Sequence, residues 1–532
     1  MTHLTAPLAP LLSFALLASA LAAAPPVTAA SPVTAAPPVT AASPVTAASP
    51  VTAAPPASHG PPVPAPVGLA LTPCQLQHPE RIASVTAECG VLSVPENPAR
   101  PEGRRIGLYV ARVPAINKHK SADPLFVLAG GPGMAATTFY TTVAPAFARV
   151  HRDRDIVLVD QRGTGRSNAL NCELSDDLLT QETDAQVVAE AARCLKDTSA
   201  HADVAYYTTS VAVQDLDTVR AALGYDRINL YGGSYGTRVA QHYLRRFPTH
   251  TRTVILDGVV PPTLALGPAV AVDAQNALLR ILARCTREPQ CQSRFGDPVA
   301  DYHKLSAQMR IQPVPITIAD PTTGEQSKLE LSTLQLATVL RLTTYTPQEA
   351  ALLPLILHRA SESGDFMPLA TQYLLISRSL GDQLSYGMHN SVVCAEDVPF
   401  YNEKTIDRKL LEQTYLGTSA VDGLRDICQV WPRGPIDKDF HEPLHSDVPA
   451  LLLSGSDDPA TPVADAQEAL RGFAQGLHVV LKGFGHGQLV APCVDRIMAR
   501  FIETASVKGL DVSCTSRDKP TPFFTSLNGP PP

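Results

Sequence analysis

Between about residue 86 and residue 257 the chain alternates between two hydrophobic rhythms. Short unbroken apolar runs, "PLFVLAG", "DIVLVD", "RINLYG" and "TRTVILDG", match strands buried on both faces of a parallel sheet, where no position has to be polar. Between them apolar residues recur every three or four positions: Val213, Leu216, Val219 and Leu223 before Gly224, then Val239, Ala240, Tyr243, Leu244 and Phe247 before Pro248. That spacing predicts helices with one apolar face, each ended by a helix-terminating residue. Upstream, "GVLSVPENPARPEGRRIGLYVARVPA" predicts a hairpin. Strand, helix, strand, helix, strand calls for right-handed crossovers, so the expected class is α/β, a parallel sheet covered on both faces.

The pattern then changes. From about 261 to 445 it is helical, as in "ALLRILARC" and "EAALLPLILHRA", before "VPALLLSG" and "LHVVLKG" return to strands with "ADAQEALRGF" as the helix between them. The simplest organisation is a core formed by residues 67–260 and 446–532, with a mostly helical lid domain, 261–445, inserted before the strand that precedes Asp457 and Asp458.

The amino-terminal 66 residues follow neither rhythm. Leu11 to Ala24 is an unbroken apolar and small-residue run containing Ala20-Leu21-Ala22, the pattern of a signal peptide cleaved after about residue 22. Pro10 keeps the run short of the roughly 20 residues that span a bilayer, so no stable membrane span is expected. No Lys or Arg precedes Arg81, which leaves the terminal amine as the only positive charge there. The repeat "PPVTAASPVTAA…" at 25–54, within a linker over 23–66, carries too much proline for helix or sheet. Extended, its thirty residues would reach on the order of 90 Å. It reads either as a cell-envelope stalk or as an expanded repeat without a role.

Export, whether to the medium, the periplasm or the cell envelope, also accounts for ten cysteines, which are expected to be disulfide-bonded. Ten cysteines allow about 945 pairings, and sequence does not choose among them. Spacing favours neighbours: Cys74 with Cys89, Cys172 with Cys194, Cys285 with Cys291, Cys394 with Cys428, Cys493 with Cys514. No C-x-x-C pair or His/Cys cluster points to a metal, and nothing calls for a cofactor. Hydrophobic residues at 45% and charged residues at 17% allow a large core, and a net charge of −7 argues against nucleic acid as a partner.

Candidate chemistry begins at "INLYGGSYGTRVAQ", where Gly232-x-Ser234-x-Gly236 falls between a predicted strand and a predicted helix. In that context the motif matches a nucleophile elbow, a cramped turn that exposes a serine hydroxyl. A serine needs a histidine base and a carboxylate to orient it, expected downstream in the order Ser, Asp, His. Asp457 and Asp458 end one strand, and His486 lies in the loop after the next, both at strand carboxyl ends where α/β sheets place their sites. Asp458 is the preferred acid, with Asp457 and the strand-end Asp257 as alternatives. The oxyanion requires two N–H donors: that of Tyr235, after the nucleophile, and one from the "AGGPGM" loop, for which Gly131 is the candidate.

Taken in order, "GGPG" at 130–133, "DQRGTGRS" at 160–167, "GGSYGT" at 232–237, "DPATP" at 458–462 and "GFGHG" at 483–487 resemble the prolyl aminopeptidase family of α/β-hydrolase serine peptidases, in particular its secreted tripeptidyl aminopeptidase branch. The similarity spans roughly residues 70–515. It implies an α/β-hydrolase fold and cleavage of short peptides from a free amino terminus. A carboxylate must then meet the substrate ammonium, and Glu396 and Asp397 in "SVVCAEDVPF" stand where the family has an acidic patch. Two other readings share the scaffold: a carboxylesterase without the amine anchor, and a non-catalytic envelope-binding protein.

Overall fold

The computed structural model describes residues 69–172, 184–321 and 323–529; the predicted signal peptide and proline repeat lie outside them. The chain forms strands β1 (Thr72–Gln77), β2 (Ser84–Pro95), β3 (Arg105–Val113), β4 (Leu125–Leu128), β5 (Ile156–Val159), β6 (Ile228–Gly233), β7 (Thr251–Asp257), β8 (Val314–Ala319), β9 (Gln326–Leu331), β10 (Ala450–Gly455) and β11 (Gly476–Leu481). Nine of them make one sheet in the order β1-β2-β3-β5-β4-β6-β7-β10-β11. The pairings are antiparallel from β1 through β3 to β5 and parallel from there to β11.

The unbroken apolar runs are explained by what covers the sheet. On β4, Phe126 and Leu128 face a core with Val213, Leu216, Val219, Val239 and Tyr243 from the helices Thr209–Ala222 and Tyr235–Arg246. Leu125 and Val127, one position out of phase, face a second core with Tyr140, Phe147, Ile497, Met498 and Phe501. Each strand residue is therefore buried whichever way it points. The two predicted helices end where Gly224 and Pro248 stop them.

β7 and β10 are sheet neighbours, and the chain between them leaves the sheet. Its helices enclose a core of their own, including Leu278, Leu282, Leu340 and Leu357, into which Phe523 of the carboxyl-terminal tail also packs. The insertion additionally holds the antiparallel hairpin β8–β9, which the helical pattern did not predict. Those strands are six residues each and mostly exposed on alternate positions, too short for periodicity to stand out. All five neighbouring cysteine pairs are joined as disulfides, and no described cysteine is free. No described helix is long and apolar enough to cross a membrane.

Candidate active site

β6 runs fully buried into Ser234, which takes φ 55° and ψ −125° before the chain enters the helix Tyr235–Arg246. A non-glycine residue held there costs on the order of 1–3 kcal/mol, and it persists because the surroundings leave no alternative. A β-carbon on Gly232 would lie 2.3 Å from Gly236 O, and one on Gly236 would lie 2.4 Å from Leu128 O. The elbow is also stitched to the next strand, with Ser234 N–H donating to Asp257 O at 2.8 Å. Cramped packing and a serine presented at the turn are thus one arrangement rather than rival accounts of the motif.

His486 donates from Nδ1 to both oxygens of Asp458, at 2.9 and 3.0 Å. Asp458 is fully buried and also accepts from Ala460 N (2.7 Å), Thr461 N (2.9 Å) and Thr461 Oγ1 (2.9 Å). A carboxylate so engaged is fixed in position and can orient an imidazole without moving. Thr461 went unnoticed in the sequence; its signal was the D-x-x-T spacing that lets a side-chain oxygen accept from the following turn. The ring of His486 lies over Gly258, where a β-carbon would lie 3.0 Å from Cε1. Among the described residues no hydrogen bond joins His486 to Ser234 Oγ, a contact that in ligand-free hydrolases commonly tightens only with substrate.

The two alternative acids are engaged elsewhere. Asp457 faces Arg280 of the insertion, 3.4 Å away, and Ser456. Asp257 is buried, accepts from Gln488 N at 2.9 Å and Tyr231 OH at 2.8 Å, and is pushed up to about 6 mainly by burial. It ties the end of β7 to the chain just past His486.

The "AGGPGM" loop lies against Ser234: a β-carbon on Gly130 would meet its Cβ at 2.9 Å and its Oγ at 3.5 Å. Gly131, the next residue of the loop, takes φ 107°, and Tyr235 follows Ser234 directly as the first residue of the helix Tyr235–Arg246. The "DQRGTGRS" segment supports this loop. Asp160 accepts from Thr137 N (3.0 Å) and Thr137 Oγ1 (2.8 Å) in the helix that follows the loop, and from Arg166 N (3.1 Å). Arg162, with no exposed side-chain surface, grips Asp215 through two bonds of 2.6 and 2.8 Å. Gln161 donates to Tyr235 OH at 3.0 Å.

Glu396 and Asp397 are brought together beside the helix Tyr235–Arg246, both with no exposed surface. Glu396 accepts from Thr209 N (2.6 Å) and Thr209 Oγ1 (2.9 Å), and burial pushes it up to about 7. Asp397 accepts from Leu266 N (2.8 Å) and sits 2.9 Å from the Arg238 guanidinium, which is 3.8 Å from Glu396. Asp397 Oδ2 is buried without a hydrogen-bond partner. Arg238 stands one helical turn after Ser234, so the acidic pair is coupled to the elbow. A second acidic group lies beside the acid loop: Asp465, pushed up to about 8 by burial and by the nearby charges of Asp273, Asp458 and Glu468.

Two family descriptions match this chain: alpha/beta hydrolase fold over residues 123–302 and TAP-like protein over residues 413–514. The chain is 28% identical to the serine protease Hip1 of Mycobacterium tuberculosis over 443 residues, 75% of this chain and 82% of that protein. It is 28% identical to carboxylesterase B of the same organism over 474 residues, 81% of this chain and 86% of that protein. To the tripeptidyl aminopeptidase of Streptomyces coelicolor it is 24% identical over 471 residues, 82% of this chain and 84% of that protein.

Proposed function

We propose that this chain, a serine hydrolase of the α/β-hydrolase fold, is an exported aminopeptidase that cleaves short peptides from their free amino terminus. The observation that carries the catalytic half is Ser234 at a strained elbow on the same edge of the sheet as the Asp458–His486 pair. In this reading His486 takes the proton of Ser234 as Oγ attacks the carbonyl and returns it to the leaving amine. Asp458 holds the imidazole, and the N–H groups of Gly131 and Tyr235 receive the oxyanion. Water then hydrolyses the acyl-enzyme by the same path.

The exopeptidase half rests on the similarity of residues 413–514, which carry both the acid and the base, to TAP-like proteins, and on the acidic pair. We assign Glu396 and Asp397, held beside Arg238 one helical turn from Ser234, as the carboxylates that receive the substrate ammonium. The insertion acts as a lid that stops longer chains from threading through. An esterase reading is supported by the equally similar carboxylesterase B.

Wild-type protein and Ser234→Ala should be assayed on chromogenic amides and esters with free and blocked amino termini, alongside fluorophosphonate labelling. Labelling at Ser234 with rapid cleavage of free-amine amides alone supports the proposal. Equal cleavage of blocked and free substrates would replace it with the esterase reading. Activity retained in folded Ser234→Ala would reject serine catalysis.

A further inference from the structure

The acid and base loops leave the carboxyl ends of β10 and β11, and β11 is the last strand of the sheet. The base loop, "GFGHG", carries glycine on both sides of His486 and has few side chains with which to hold itself in place. Besides the bonds from Asp457 N–H to Phe484 O (2.9 Å) and from Gln488 N–H to Asp257 (2.9 Å), the two loops are braced from the insertion. The helix Thr333–Thr343 ends against them: Arg341 donates to Pro459 O at 2.8 Å, the residue after Asp458, and His486 N–H donates to Tyr345 O at 2.7 Å. The Tyr345 ring meets the His486 imidazole edge-on, centroids 4.9 Å apart and planes 69° apart, while the Arg341 guanidinium lies 5.7 Å from the Tyr345 ring centre. Backbone packs on backbone here, since a β-carbon on Gly485 would lie 2.4 Å from Thr344 O and 2.5 Å from Tyr345 O. The insertion reaches the oxyanion loop as well, where Ser385 N–H donates to Gly133 O at 3.0 Å and His389 Nδ1 lies 3.3 Å from Pro132 O.

We propose that the insertion is a structural part of the catalytic site rather than only its cover, with Arg341 and Tyr345 as positioning residues that hold the Asp458 and His486 loops in register with Ser234. The proposal rests on the serine-hydrolase reading. Arg341 ties the acid loop and Tyr345 the base loop to one helix end, so the insertion holds the acid–base separation from outside the sheet in addition to the direct bond from Asp457 N–H to Phe484 O. A misplacement of about 1 Å in such a constellation can cost on the order of 10²-fold in rate. Substrate affinity depends on other contacts, so the effect belongs in kcat.

The test uses the full-length chain with Arg341→Met, Arg341→Lys, Tyr345→Ala, Tyr345→Phe and Gly485→Ala. Fluorophosphonate titration of Ser234 counts competent sites, and kcat and KM are measured per competent site on a substrate the wild type cleaves. Arg341→Met and Tyr345→Ala should each lose roughly 10- to 100-fold in kcat with KM within about threefold. Arg341→Lys, which keeps a donor for Pro459 O, and Tyr345→Phe, which keeps the ring, should recover most of the loss. Gly485→Ala should lower kcat in the same way, by forcing the insertion off the base loop. An unchanged kcat per site in Arg341→Met and Tyr345→Ala would overturn the proposal. So would Lys behaving no better than Met, or a loss explained wholly by fewer competent sites or by KM. If the wild type itself is not labelled at Ser234, it is the serine-hydrolase reading that fails, and that result is read before any variant is compared.

Discussion

Glu396→Gln separates two roles for the acidic pair through one physical quantity, the proton that burial holds on Glu396. The carboxyl has no exposed surface, and burial raises it from an ordinary value of 4.5 to about 7, against the opposing pull of Arg238 and Thr209. Between those values the folded chain binds a proton that the unfolded chain has released. Stability from this group is therefore fully present below about pH 4.5 and is lost as pH rises toward 7. At about 1.4 kcal/mol per pH unit the difference amounts to on the order of 3 kcal/mol. Gln is neutral throughout, and its carbonyl can accept from Thr209, so Glu396→Gln should remove that slope and gain on the wild type as pH rises from 4.5 to 7.5. Urea unfolding midpoints of both proteins across that interval measure it. A wild-type-to-variant difference that stays flat with pH would refute the reasoning. The same variant tests the amine anchor, since loss of a charge-assisted bond worth roughly 1.5–3 kcal/mol predicts about 10- to 100-fold lower kcat/KM on free-amine peptides, with esters unaffected. If blocking the substrate amine matters but Glu396→Gln does not, the acids beside the catalytic loop, Asp273 and Asp465, are the next anchors to substitute.

Asp458→Asn should slow turnover by about 10⁴ because the imidazole loses its orienting acceptor, whereas Asp457→Asn, which faces Arg280, should leave kcat nearly intact; steady-state kinetics of both variants checks the assignment. Arg162→Met should destabilise the protein by about 3–5 kcal/mol in urea unfolding, leaving Asp215 buried and unpaired, and adding Asp215→Leu should recover much of that loss. Replacing Cys394 and Cys428 by Ser opens a loop of 34 residues and should cost about 3–4 kcal/mol by loop-closure entropy, read from the same measurement. Thiol titration of the native protein should find no free cysteine.

Much of the core and the candidate triad is legible in the order of residues because the constraints there are local. A strand covered on both faces must be apolar throughout, so β4 and β5 read as continuous runs; a helix with one buried face repeats every three or four residues, as between Val213 and Leu223. The elbow is legible for the same reason, since the close approaches at Gly232 and Gly236 admit no larger residue and so leave a motif. Asp458 and His486 stand out because each follows shortly after a recognisable strand, and the disulfide pairs because each joins neighbours in the chain. Contacts between segments far apart leave no such trace. No periodicity announces that Tyr345 will meet His486 across 141 residues, that Arg341 will hold Pro459, or that Arg280 will draw Asp457 aside, since each side chain is chosen by a surface that exists only once the insertion has folded onto the sheet. The sequence likewise marks Glu396 and Asp397 as adjacent acids but cannot say that both are sealed from water against Arg238, because burial and the proton it retains are properties of packing in three dimensions.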